Sequence, residues 1–475
     1  LLRSLGAFST IMLVAGGVIG SGIFRKPGVM AAQLGSSWVL LAVWFGAGIV
    51  TLCGALTVAE LASAIPETGG TYVHFKRIYG PFAGFLYGWA AFVVIQTGSI
   101  TAVCYVFAEY ATQFFPTPAF LAFDDSFRIH LPWIGDIVPL HEMGIKLLAA
   151  GVILGLTFVN YLGIRCGSLV QNGVTLVKVA AMAALVAVVF LPPTGGAIDN
   201  LTTTSRFIQP QGWLWWAAVA GALQGAFWAY DGWNKVTYIA GEVKESQRTV
   251  PLGLTWGMLL VTALYVLVNV AYAYILPIDE MAQSRLVAAD VAEHCLPRGG
   301  RWIAAAVMIS TFGAANAIIL TSARVYFRMA QDGLVPSSLG WVHPRYRSPG
   351  LSLVVQGVWA VVLLFSGTFD TLTDTLIFVS WIFYAAAAFG VIRLRQREPE
   401  LTRLYRVPGY PWVPLGFVGF AILYLVLTVH NDLLNYRAAA SAGRPALSNS
   451  AFGIALVLAG SPVYWWYARK QKMSS

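Results

Sequence analysis

Residues 16–24 read Gly16-Gly17-Val18-Ile19-Gly20-Ser21-Gly22-Ile23-Phe24, a run of small residues set inside an otherwise apolar stretch from 7 to 33. A second interruption, Tyr230-Asp231-Gly232, sits in the middle of the apolar stretch from 213 to 240. Each glycine costs a helix about 1 kcal/mol. Backbone released from a helix cannot face lipid, so such segments persist only inside protein or beside a water-filled cavity. Interruptions at matching places in two sets of five apolar stretches point to an inverted repeat with a binding site at mid-membrane. Close helix packing is the competing reading: Gly16 and Gly20 have the four-residue spacing it uses, whereas Gly20-Ser21-Gly22 does not.

The rest of the chain fits that frame. Of 475 residues, 58% are hydrophobic and 11% charged, far from the roughly 25% charged residues of a soluble domain. Apolar stretches about 20 residues long, enough to cross a bilayer core of roughly 30 Å, recur throughout. They are expected at 7–33, 37–64, 81–113, 143–163 and 166–192, then at 213–240, 248–276, 301–330, 350–367 and 371–392, with a last pair at 410–430 and 449–468. The expected architecture is an all-α membrane protein of about twelve spans. One transmembrane domain covers 1–475, with a first repeat at 7–192, a second at 213–392, broken helices 1 and 6, and two C-terminal helices within 410–468. No connection reaches the roughly 50 residues that a small soluble domain needs. The first apolar run lacks a small-residue cleavage site and is read as a retained span.

The net charge of +9 is dispersed over short connections, which argues against a nucleic-acid surface. With both termini cytoplasmic, about 19 lysines and arginines fall inside and about 10 outside, as the positive-inside rule expects. Cys53, Cys104, Cys166 and Cys295 form no CxxC pair, and the six histidines show no ligand spacing, so neither a metal site nor a disulfide framework is expected. No GxxxxGK[ST] sequence is present, so no built-in ATP motor of that kind is expected; the reading as a transporter carries the further expectations of no cofactor and no enzymatic activity. Trp213, Trp215, Trp216, Trp465 and Trp466 read as interface belts.

A break at Gly20-Ser21-Gly22 frees N–H groups at the start of the outer half-helix, where the positive dipole end suits a carboxylate. A break after Trp228-Ala229-Tyr230-Asp231 exposes carbonyls, which suit an ammonium. An amino acid zwitterion satisfies both. Lys178, near the centre of the fifth span in "TLVKVAAM", costs roughly 2.5–3.5 kcal/mol to insert and needs partners there; snorkelling to the interface is the weaker reading. Asp231 is free to attract a cationic side chain or to pair with Arg25 or Lys26. Glu60, Glu242 and Arg248, near span ends, read as an ion network.

Four stretches, "GGVIGSGIF" (16–24), "GALTVAELASAIPETGGTYVHFKRIYGP" (54–81), "FWAYDGWNKVTYIAGEV" (227–243) and "STFGAANAIILTSARVYFRMAQDGLVP" (310–336), resemble in order the L-type amino acid transporter family of the amino acid, polyamine and organocation superfamily. The resemblance implies a substrate carboxylate held at Ile19, Gly20, Ser21 and Gly22, and a substrate amine at Phe227, Trp228, Ala229 and Tyr230, with Trp228 as an aromatic gate. It implies supporting roles for Asn234, Ser310, Thr311 and Asn316, the last read equally as an interhelical hydrogen bond. Lys178 is similar to the fifth-helix lysine of sodium-independent members, where it stands in for the coupling cation. Asp231 resembles the acidic position of members that also take cationic amino acids and cystine, and departs from the glycine of those restricted to large neutral ones. Members with a disulfide-linked single-span partner carry a cysteine after the third span, and residues 114–142 hold none. The implied protein is a stand-alone, sodium-independent exchanger of neutral, and by way of Asp231 cationic, L-amino acids in the cell membrane. A proton-coupled importer is the near alternative and a non-transporting amino acid sensor the distant one.

Overall fold

In a computed structural model, the structure describes residues 5–116, 127–131, 135–162, 167–191, 195–346, 348–366, 369–442 and 447–474. Cys166 lies outside the described residues, as do Asp124 and Asp125. Nine helices among the described residues are long and apolar enough to cross a membrane, and Gly173–Val189 and Gly350–Leu364 are shorter apolar helices. With the interrupted sixth stretch these form twelve spans of an all-α membrane protein.

The first span consists of Ala7–Val18 and Gly22–Leu34, separated at Ile19, Gly20 and Ser21. The sixth consists of Trp213–Tyr230 and a 3-10 segment, Trp233–Glu242, separated at Asp231 and Gly232. Gly232 turns the chain at φ +101, a conformation that glycine adopts without penalty. Spans two to five are Ser37–Ala64, Pro81–Ala111, Met143–Tyr161 and Gly167–Val189. Spans seven to ten are Ser246–Ile275, Gly299–Gln331, Gly350–Leu364 and Phe369–Arg397.

Span eleven, Trp412–Ser441, runs well past the expected end at 430. Hydropathy falls after His430, but Leu433, Leu434 and Ala438 to Ala440 continue to favour helix. The twelfth span starts at Asn449, and the Asp432 carboxylate accepts from the main chain of Asn449 and Ser450 at 3.2 and 2.8 Å. The connections are more ordered than the sequence pattern indicates: Thr71–Tyr79 is a helix, Ile278–Gln283 and Val287–Cys295 are two more, and Ile129–Leu131 pairs antiparallel with Gly135–Ile137.

Hydrogen bonds join spans within each of two bodies, and others cross between them, with Tyr87 and Gln96 of span three meeting the Tyr238 hydroxyl of span six at 2.7 and 3.0 Å. The Tyr265 hydroxyl of span seven reaches the Val18 carbonyl of span one and the Ala229 carbonyl of span six, both at 3.1 Å. Tyr230 of span six donates to the Trp44 carbonyl of span two at 3.2 Å. Spans one, two, six and seven are thereby joined. In the other body, Thr101 of span three donates to Ala360 of span nine at 2.8 Å, and Asn160 of span four to Asn316 of span eight at 2.6 Å. Ser322 of span eight meets Gln356 of span nine at 2.8 Å.

Candidate functional site

The two breaks meet main chain to main chain. A Cβ on Gly22 would fall 2.4 Å from the Ala229 Cα, and one on Gly232 would fall 2.5 Å from the Gly17 carbonyl oxygen. Only residues without side chains permit this approach. By helix geometry the N–H groups of Gly22 and Ile23 have no carbonyl a turn back in their own helix. On the sixth span, the Asp231 N–H turns back to Trp228 at 3.2 Å, which deprives the Phe227 carbonyl of the bond a continuing helix would supply. The breaks thus offer free donors on the first span and an under-bonded carbonyl on the sixth.

A small cavity of about 20 Å³ lies at the two breaks, with Gly20, Ser21, Gly22, Trp228 and Asp231 in its wall. Spans three and eight complete it with Ser99, Val103, Ala314 and Ile318. A space this size holds about one water, so the site is closed in this conformation. The hydroxyls of Ser21 and Ser99 are buried there without a hydrogen-bond partner among the described residues, and a buried unpaired hydroxyl is costly. A polar ligand entering as the walls part would satisfy both.

Lys178 lies behind the first break. Its ammonium donates to the Ile19 carbonyl at 3.0 Å and more weakly to Gly16 at 3.4 Å, and the side chain is buried. These carbonyls end the first half-helix, where the helix dipole favours a cation. The lysine therefore finds its partners across the boundary between the fifth span and the broken first.

The remaining candidate residues divide. Ile19 and Ala229 contribute main chain, the former to Lys178 and the latter to Tyr265. Phe227 and Tyr230 direct their rings away from this cavity, Phe227 against Trp381 with ring centroids 4.1 Å apart and Tyr230 toward Trp44 and Tyr265. Asp231 accepts from the Tyr384 hydroxyl at 2.6 Å. It does not pair with Arg25 or Lys26, because Arg25 is taken by Glu109 at 2.9 Å and Lys26 by Asp370 at 2.6 Å. Asn234 is buried outside the cavity wall. Ser310 and Thr311 are buried a turn before Ala314, and the Thr311 hydroxyl bonds back to Val307 at 2.8 Å. Asn316 is held by Asn160, so its interhelical reading is the one the geometry matches.

Three residues that the sequence reading passed over belong here. Lys235 lines the cavity, Tyr265 links the two breaks, and Tyr384 holds Asp231. Only Lys235 carried a visible signal, a second charge four positions after Asp231 in an intramembrane stretch.

Ion pairs gather at both faces. On the face bearing the N-terminus, Arg395 grips Glu60 through two bonds of 2.7 and 2.6 Å, and Glu60 also accepts from the Val407 N–H at 2.7 Å. Arg248 is exposed, and the Glu242 side chain lies outside the described set. On the opposite face, a polar cavity of about 230 Å³ opens beside Lys26, Gln224, Asp370, Asp374 and Asp432.

A family model described as amino acid permease matches residues 5–437. The serine/threonine exchanger SteT of Bacillus subtilis (strain 168) is 29% identical across 100% of this chain and 98% of that protein. Human b(0,+)-type amino acid transporter 1 is 30% identical, covering 86% of this chain and 79% of the relative. Human large neutral amino acids transporter small subunit 2 is 30% identical, with 98% and 80% covered.

Proposed function

This chain belongs to the amino acid permease family, and from that membership we propose that it is a sodium-independent exchanger of L-amino acids, working by alternating access in the cell membrane with both termini cytoplasmic. The observation that carries sodium independence is the Lys178 ammonium on the Ile19 and Gly16 carbonyls. A fixed cation there supplies the charge that a coupling ion would otherwise bring.

The substrate carboxylate binds the N–H groups at Gly22 and Ile23, and its ammonium binds the carbonyl end of Trp213–Tyr230. Neutral side chains are the primary class, in keeping with relatives named for serine, threonine and large neutral amino acids. Trp228 closes the site, and the body of spans one, two, six and seven rocks against spans three, four, eight and nine. Hydrogen bonds within each body support this division, and the crossing bonds of Tyr238 to Tyr87 and Gln96 are ones the motion has to exchange. Positively charged connections on the N-terminal side support the orientation. The absence of cysteine from residues 114–142 supports a transporter that works without a disulfide-linked partner.

The test is uptake of radiolabelled alanine and leucine by the purified chain in proteoliposomes without sodium. Uptake that requires internal amino acid is the expected result. Uptake driven by a pH gradient into empty vesicles would replace exchange with proton coupling, and binding without any uptake would make the protein a sensor.

A further inference from the structure

Asp231 is not the only charge facing the central cavity. Lys235 follows it in the 3-10 segment Trp233–Glu242, is buried, and forms part of the same wall. Its ammonium stands beside the second break: a Cβ on Gly232 would be 3.1 Å from Nζ. The hydrogen bonds and ion pairs of the described residues include none from this ammonium, and Asp231 is the one opposite charge acting on it. The Asp231 carboxylate is itself engaged by Tyr384 at 2.6 Å. Lys178, already bonded to main chain, is close enough to repel Lys235. One ammonium, Lys235, and one carboxylate, Asp231, therefore face a space with no other charged group in its wall among the described residues.

We propose that Lys235 sets the charge selectivity of this site. It cancels the attraction that Asp231 alone would exert on a cationic side chain, so the pocket refuses arginine-like substrates and accepts neutral side chains. Those presenting an oxygen acceptor are favoured, because a hydroxyl or carboxylate oxygen gives the Lys235 ammonium the partner it lacks. The proposal rests on the central cavity being the amino acid site. It reverses the expectation drawn from Asp231 alone: an acidic residue at this position admits cations only when no lysine lies one turn away.

Arginine and citrulline test it, since they have nearly the same shape and differ by one charge. Displacement of labelled alanine from the purified protein in nanodiscs should favour citrulline over arginine by at least about ten-fold, a modest yield for one uncancelled charge in a protein interior. In Lys235→Met the ratio should fall toward one or invert, and in Lys235→Arg it should stay with citrulline. Asp231→Asn added to Lys235→Met should remove any arginine preference gained. Because the readout is a ratio within each protein, a general loss of affinity does not move it. Arginine binding wild type as well as citrulline would overturn the proposal without needing any variant. A folded Lys235→Met that kept the wild-type ratio would overturn it too. Alanine that fails to bind wild type at all would instead sink the amino acid site beneath it.

Discussion

Gly22→Ala puts the main-chain contact between the breaks to the test. The added Cβ would lie 2.4 Å from the Ala229 Cα, 2.6 Å from its Cβ and 2.9 Å from its nitrogen. Carbon atoms settle at roughly 3.5–4.0 Å, so the shortfall is about 1 Å against backbone that cannot rotate away. Overpacking costs about 1–3 kcal/mol, and the rigidity of both partners places this case in the upper half of that range. If the strain is relieved by parting the half-helices, the donors at Gly22 and Ile23 move off their ligand. A loss of about 2–3 kcal/mol in binding corresponds to about 30- to 150-fold. The assay is alanine binding by purified protein, paired with its melting temperature. Gly155→Ala serves as control, since nothing lies within 4 Å of the Cβ it would add. Near-wild-type affinity in Gly22→Ala would refute the argument that the carboxylate sits on this contact.

Lys178→Ala should lower exchange far more than it lowers the amount of protein in the membrane; unchanged turnover would remove the lysine from coupling. Tyr265→Phe leaves the Val18 and Ala229 carbonyls without their shared donor, at a cost of about 1–3 kcal/mol, so melting temperature and exchange rate should both fall. A melting curve superimposable on wild type would count against the link between the breaks. Asp332, just beyond span eight, accepts from Tyr72 at 2.6 Å and from Lys76 at 2.9 Å. Burial raises its pKa, but these bonds outweigh burial and hold it below the ordinary value. A depressed carboxyl contributes stability that is present above its unfolded pKa and lost as pH falls through the folded one. The melting difference between wild type and Asp332→Asn should therefore be flat from about pH 5 to 8 and shrink only below about pH 4. A difference that changed between pH 6 and 8 would show that another group controls it.

What the sequence makes legible here is what depends on backbone. Both breaks and the twelve spans follow from glycine placement and hydropathy, and Lys178 announces itself because a mid-membrane ammonium must find oxygen. Side-chain direction near a break is harder. The 3-10 winding after Gly232 rotates Lys235 into the cavity wall and leaves Asn234 outside it, an outcome that α-helical spacing does not forecast. The eighth span presents Ala314 and Ile318 to the cavity, with Ser310 and Thr311 buried a turn before them. The helix of span eleven outlasts its apolar stretch because helix propensity and membrane thickness are separate constraints, and Trp412–Ser441 obeys the first beyond the second.

The contact of Gly22 with Ala229 has a consequence for how such a protein changes over evolutionary time. In the proposed site the grip on the group common to every amino acid is made of peptide bonds, which no substitution alters except by filling the gap between them. What distinguishes one amino acid from another would there be met by side chains of the cavity wall such as Ser99, Val103 and Lys235, each free to mutate singly. A lineage can drift from one diet to another through those walls while its handle stays the same, and the positions that resist drift are the ones with no side chain to lose.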